Sequence, residues 1–488
     1  MRRACYISSM ILNGRPPRFL RRTALLGLAS AVVAACTIVT PDPVPRTVAP
    51  AAYREAAAPT VAWPSADWWR GFGSAELDRL IERARTGNLD IAAAAARIRQ
   101  ADAQATIAGA PLLPTVQLSG GAQRQGSTVV AGSRSATGLP VGTTRKVASN
   151  SFDVRLTASW EADFWGGNRA TAAASRAAVL ATRFDADSVA LTTVATVADT
   201  YFQILALRER LALARRSLAD AETVLEGVQA RARVGTASEL DVAQQRSLVE
   251  SERATIPVLA DQLVQRTTAL AILVGVAPSD LAVEGRDIDT LSVPVPAAGL
   301  PADLLRRRPD VAAAEADLIA ADQRLKAAIA ARYPGTTLTV GRGYEAAVLA
   351  DLLNPVSALF SLAASVVQPI FEGGRLAAQA DLERARIEEL AHLWQRTVIQ
   401  AFGDVENALS SIARAQEEIT ARRAALAAAR LAFEAAQSRY RAGTVDTITV
   451  LDTQRSLSDA EDNLAQARLA YLRGVVALHQ ALGGGWGG

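Results

Sequence analysis

The side chains that ordinarily carry covalent or metal chemistry are few in this chain and poorly spaced for it. Its two histidines, His392 and His479, fall in separate helical patterns, and neither belongs to an HExxH pair that would set two imidazoles on one helix face. Neither lysine, Lys146 or Lys326, follows a glycine, so the Gly-Lys step of a phosphate-cradling loop is missing and no ATP site is evident. What remains is charge set at strand spacing. Phe152, Val154, Leu156, Ala158, Trp160, Ala162 and Phe164 alternate with Asp153, Arg155, Thr157, Ser159, Glu161 and Asp163. A period of two places these sets on opposite faces of a strand. Such a strand suits the wall of a transmembrane β-barrel, with Asp153, Arg155, Glu161 and Asp163 lining a polar lumen. An edge strand of a soluble sheet is the alternative reading.

The elements that must position this strand come in two copies. Asp90 through Pro114 recurs as Asp310 through Pro334, offset by 220 residues. Phe164-Trp165-Gly166-Gly167 recurs as Phe371-Glu372-Gly373-Gly374, and Arg233-Val234-Gly235-Thr236 as Arg441-Ala442-Gly443-Thr444. The copies close on Leu273-Val274-Gly275 and Ala481-Leu482-Gly483. A duplicated unit points to architecture before chemistry. Each copy reads helix, strand, strand, long helix, turn, returning helix. The first begins with a helix from about Leu77 to Ile107, a strand from Thr115 to Gln123 and a Gly/Ser/Thr loop to Ser149. The second has weaker strands, marked by Leu338, Val340 and Tyr344 and by Phe360, Leu362, Ala364 and Val366. The long helices, Asn168 to Arg233 and Arg375 to Arg441, contain only Gly227 and Gly403 as breakers; each could reach roughly 100 Å. Gly235 and Gly443 supply positive-φ turns into returning helices from about Ser238 to Leu273 and from Thr447 to Leu482, the first bent at Pro257.

The fold class is therefore mainly α with a transmembrane β-barrel. Four strands cannot close a barrel in lipid, where every edge must be paired, so strands must be pooled across an oligomer. The expected organisation is a signal peptide at 1–35, an anchor and linker at 36–75, repeat 1 at 76–275, an inter-repeat linker at 276–298, repeat 2 at 299–483 and a short tail at 484–488.

The net charge of +3 misleads about partners. Residues 1–35 hold six arginines and no acid, so the rest of the chain carries 3 − 6 = −3, and a nucleic-acid role loses its support. That segment reads as a secretory signal: a basic run, apolar residues from Thr23 to Ala35, then Cys36. Beyond it, no run reaches the 18 or so apolar residues of a membrane helix. Val33-Ala34-Ala35-Cys36 resembles a lipobox, in which the cysteine is lipidated with palmitate-type chains. Cys5 lies in the removed segment, so no thiol would then remain for catalysis, metal binding or an internal disulfide. Thr37, where inner-membrane lipoproteins carry aspartate, points to the outer membrane.

The chain resembles the outer-membrane efflux lipoproteins of the TolC superfamily, in the NodT-like branch that serves resistance-nodulation-division pumps. The match rests on Leu304-Leu305-Arg306-Arg307-Arg308-Pro309-Asp310-Val311, Trp160 to Gly166, Gln368-Pro369-Ile370-Phe371-Glu372-Gly373-Gly374-Arg375-Leu376, and Tyr440-Arg441-Ala442-Gly443-Thr444 with Val450-Leu451-Asp452. The resemblance implies a homotrimer with a twelve-stranded barrel on a periplasmic α-helical tunnel. That tunnel would be closed until an adaptor protein and an inner-membrane pump engage it, and the duct would take no cofactor. Asp452 falls where the family sets an aspartate ring that favours cations and can bind a divalent ion, with no other metal site expected. Ile448 would add a hydrophobic constriction, and Thr449 stands where some relatives carry a second aspartate. Asp452 as a solvated helix residue remains open. Glu239 and Asp241, beside Gly235 and Gly443, read equally as adaptor contacts or as exposed helix-start acids. Arg306 to Asp310 reads as a helix N-terminus. Protein secretion by a type I system, heavy-metal efflux and a lipid-anchored coiled-coil scaffold are the competing functions.

Overall fold

In the computed structural model, Tyr53 and residues 64–131, 143–285, 288–296 and 304–484 are described; the expected signal segment and Cys36 lie outside these. The chain separates into two units at Pro45, and the larger, Arg46–Gly488, carries all of the described helices and strands.

Local sequence sets the helix boundaries. Helix α1 (Ala75–Gly87) starts where the Ser74 hydroxyl accepts from the Leu77 amide, and buries Leu77, Leu80, Ile81 and Ala84. Asn88 ends it and caps α2 (Leu89–Gly109) by accepting from the Asp90 and Ile91 amides. Strands β1 (Thr115–Ala131) and β2 (Thr143–Glu161) come next, then α3 (Gly167–Arg233) and α4 (Glu239–Leu273). The second copy supplies α5 (Pro309–Ala330), β3 (Gly335–Ala346), β4 (Ala358–Val367), α6 (Arg375–Arg441) and α7 (Thr447–Ala481). Both long helices have 67 residues and both returning helices 35, so the duplication holds to the residue. Gly235 and Gly443 turn the chain at φ 76° and 74°, and α4 runs through Pro257 without interruption. Contrary to expectation, α3 contains an 18-residue window apolar enough to cross a bilayer. Of that window 61% is buried inside the protein, so its apolarity serves the helical core.

The main core mixes the two copies. Phe72, Leu77, Phe202 and Leu270 pack in one cluster with Val398, Val405, Val475 and Leu478. The inter-repeat segment is strapped over it: Glu76 accepts from the Glu284 and Gly285 amides, and Arg208 donates to the Val283 and Gly285 carbonyls. Arg308, partly buried at the start of α5, holds Asp310 and Asp404 and also donates to the Ala481 carbonyl. With Pro309 and Asp310 in the first turn of α5, this stretch acts structurally.

The four strands form one antiparallel sheet in the order β1-β2-β3-β4. Chain order equals spatial order, so β1 and β4 are each left with one unpaired edge.

Candidate channel wall and helical tip

Register decides which side chains share a face. Leu118 pairs with Leu156, Leu156 with Arg342, and Val154 with Tyr344; Val340 pairs with Leu362, and Leu338 with Ala364. Even-numbered residues of all four strands therefore share one side, and the expected sets on β2, β3 and β4 merge into one largely apolar surface, broken at Arg342. It is bare in the single chain: Leu118, Phe360 and Leu362 are 73%, 73% and 70% exposed. An exposed apolar face on a sheet with two open edges is untenable in water and suits lipid once the edges are paired.

The opposite face is polar. Arg155 lies 3.9 Å from Glu345 on β3, and the Ser151 hydroxyl donates to the same carboxylate at 3.2 Å. Glycines make room for this layer: a Cβ at Gly121 would sit 2.5 Å from an Asp153 oxygen, and one at Gly343 would sit 2.9 Å from the Arg155 Cα. Glu345 escaped the sequence reading because the alternation in β3 is broken by glycines. Glu161 is the last residue of β2. Asp163 falls beyond the strand, and the thirteen-residue alternation stops short of it. Its carboxylate accepts from the Asn168 and Arg169 amides at 3.2 and 2.9 Å and pairs with the Arg169 guanidinium, so it caps α3. Partial burial pushes this carboxyl up, but these hydrogen bonds outweigh it and hold it below the usual range. At the same junction Trp165 stacks on Tyr333 at 4.8 Å, and its indole donates to the Pro334 carbonyl. Phe164, Ile370 and Phe371 stand exposed around it, an aromatic and apolar collar of the kind that marks a membrane boundary.

At the far end of the helices, Val228, Val242, Tyr440 and Val450 cluster where the two hairpins meet. The Arg231 guanidinium lies 3.9 Å from the Tyr440 ring centroid and donates to its carbonyl at 2.6 Å, joining the first hairpin to the second. Ser238 and Asp241 form a capping box on α4. Those Ser238 hydrogen bonds, backbone then side chain, hold the Asp241 carboxyl below its usual range. Glu239 is exposed beside it. Asp446 caps α7, accepting from the Thr449 amide and hydroxyl at 3.0 and 2.5 Å. The Thr449 hydroxyl is thereby committed to the cap. On α7, Thr447, Val450, Leu451 and Gln454 are buried, whereas Ile448, Thr449 and Asp452 lie on the exposed face. Ile448 and Asp452, four apart, are neighbours on that face. Among the described residues no three His, Cys, Asp or Glu side chains form a group able to hold a metal ion.

Residues 80–276 and 300–484, one block per copy, match the outer membrane efflux protein family. The chain belongs to this family. A pyoverdine export outer membrane protein, OpmQ, of Pseudomonas putida is 41% identical over 468 residues, covering 96% of this chain and 98% of that protein. The toluene efflux pump outer membrane protein TtgF of Pseudomonas putida is 32% identical, covering 86% and 85%. Among solved structures, the outer-membrane channel OprN superposes with a TM-score of 0.84 at 27% identity, over 92% of this chain and all of that one. The protein is thus an outer-membrane efflux channel, an exit duct that extends into the periplasm. The sequence brought Asp153, Arg155, Ile448 and Asp452 into view; Glu345, Arg231 and Asp446 emerged only in three dimensions.

Proposed function

We propose that three copies of the chain, each anchored through a lipidated Cys36, pool their four strands into a closed twelve-stranded barrel above a helical tunnel, the exit duct of a tripartite system. The open edges of β1 and β4 carry this reading: a sheet with one apolar face and two unpaired edges is satisfied in lipid only when β1 of one copy pairs with β4 of the next. The polar face with Asp153, Arg155, Glu161 and Glu345 then lines the lumen, with Asp163 bracing its base. Ile448 and Asp452 from three copies form the inner constriction, where the carboxylates would favour cations and could share a divalent ion. The hairpin tips around Gly235, Glu239, Asp241 and Gly443 are the docking region for a periplasmic adaptor, which with an inner-membrane pump opens the constriction. Energy comes from that pump.

The identity of 41% to a pyoverdine exporter against 32% to a toluene efflux protein favours export of a pyoverdine-type compound over toluene efflux. The test is complementation. In a Pseudomonas strain lacking its own OpmQ, this chain should restore pyoverdine to the medium, and the purified protein should have the mass of a trimer in detergent. A monomer would overturn the duct; a trimer that restores toluene tolerance but not pyoverdine export would overturn the substrate assignment alone.

A further inference from the structure

Beyond the arginine-rich N-terminal segment, the acid-base balance of the chain is interrupted again within the first copy. With 52 basic and 49 acidic residues overall, Asp and Glu are absent from Ala103 to Phe152, a stretch that contains Arg124, Arg134, Arg145 and Lys146. This stretch includes most of the β1–β2 hairpin, whose strands pair out to Ala131 and Thr143, well past the last β2–β3 pair at Phe152 and Ala346. The hairpin therefore projects beyond the rest of the sheet, at the end opposite the helices and so on the outer side of the membrane.

Register assigns these cations to faces. Arg124 pairs with Asn150 and Lys146 with Thr128, which puts both on the side shared by Phe152, Leu156 and Trp160. Arg342, paired with Leu156 and Phe360, lies on that same side within the apolar band. All three are exposed, and none has an ion pair among the described residues. Arg145 takes the opposite face. At about 3.3 Å per residue and a tilt of about 45°, Arg124 sits roughly 5 Å above the Phe152 row, Lys146 roughly 14 Å above it, and Arg342 roughly 9 Å below it. A guanidinium at that depth reaches the boundary by extending its stem upward along the apolar surface. The three cations thus flank the outer edge of the apolar band on its lipid side, Arg124 and Lys146 above it and Arg342 below.

We infer that this outward basic track binds the headgroup phosphates of anionic lipids in the outer leaflet, tying each barrel wall to its lipid annulus. A lumenal cargo would meet the other face of the hairpin. A soluble polyanion would have no reason to favour cations aligned with an apolar band.

Native mass spectrometry of the detergent-purified, full-length protein tests this, with bis-phosphorylated lipid A as probe and its dephosphorylated form as comparison. The wild type should retain the phosphorylated lipid roughly tenfold better or more. R124S/K146S/R342Q should lose that preference, and R145S, on the other face, should keep it. If the triple variant fails to assemble, R124S/K146S, whose changes lie above the band, should show a partial loss. Equal retention of both lipids, an unchanged preference in either outward-face variant, or full displacement by equimolar inorganic phosphate would overturn the assignment.

Discussion

Arg308 donates to Asp404 at 2.8 Å while holding Asp310 at 3.0 and 2.7 Å, so one partly buried guanidinium joins the start of α5 to α6. Removing it leaves Asp310 unpaired and opens the junction with the last turn of α7. Arg308→Ala should cost about 1–3 kcal/mol, less than a fully buried pair because Asp404 is half-exposed. Thermal unfolding in detergent measures this, and Arg308→Lys should recover only part, because an ammonium cannot hold both carboxylates bidentately.

His479 is stacked on Trp68 at 4.5 Å and donates from Nε2 to the Pro294 carbonyl at 3.1 Å. Burial pushes its pKa down to about 4 from 6.5. Between those values the unfolded chain binds the proton more readily, so stability should fall as pH drops from about 6.5 to 4 and then level off. The whole effect is about 3 kcal/mol. His479→Gln should flatten the pH dependence of the melting temperature in that window; an unchanged slope would assign it to other groups.

Asp241 and Asp446 both cap helices with carboxyls held below the usual range, by Ser238 and Thr449 respectively. Their contribution is complete above the ordinary carboxylate pKa near 3.8 and is lost as pH falls through the lower folded value. Hydrogen exchange in the first turns of α4 and α7 should therefore speed up only below about pH 4. Asp446→Ala should produce the same acceleration in α7 at neutral pH.

At the tip, Asp452→Ala should raise single-channel conductance and weaken block by divalent cations in planar bilayers. Unchanged conductance and block would remove Asp452 from the constriction.

In the wall, Gly343 faces the Arg155 backbone so closely that a Cβ has no room. Gly343→Val should disrupt the β2–β3 pairing and abolish the proposed trimer, read as a detergent-resistant band on unheated gels, whereas Gly126→Ala, with open space around it, should leave that band intact.

Much of this fold can be read in the chain because its signals are local. Alternation over Phe152 to Trp160 marks a strand, proline-free alanine-rich stretches mark the long helices, and Gly235 and Gly443 mark the turns. These depend on residues within a few positions of each other, and the duplication repeats each of them. For the wall and tip, parity gave the polar face of β2, and the resemblance to known motifs singled out Asp452.

Where a carboxylate finds its partner was decided by tertiary structure. Asp163 continues the alternation in sequence, yet the chain leaves the sheet after Glu161 and bends the carboxylate onto the first amides of α3. Glu345 meets Arg155 only through the register between strands of different copies. Asp446 and Asp452 look equivalent near the same turn, but the cap takes the first and leaves the second exposed. Backbone periodicity is set by neighbours along the chain, whereas these pairings depend on register and helix rotation fixed by packing between the two copies.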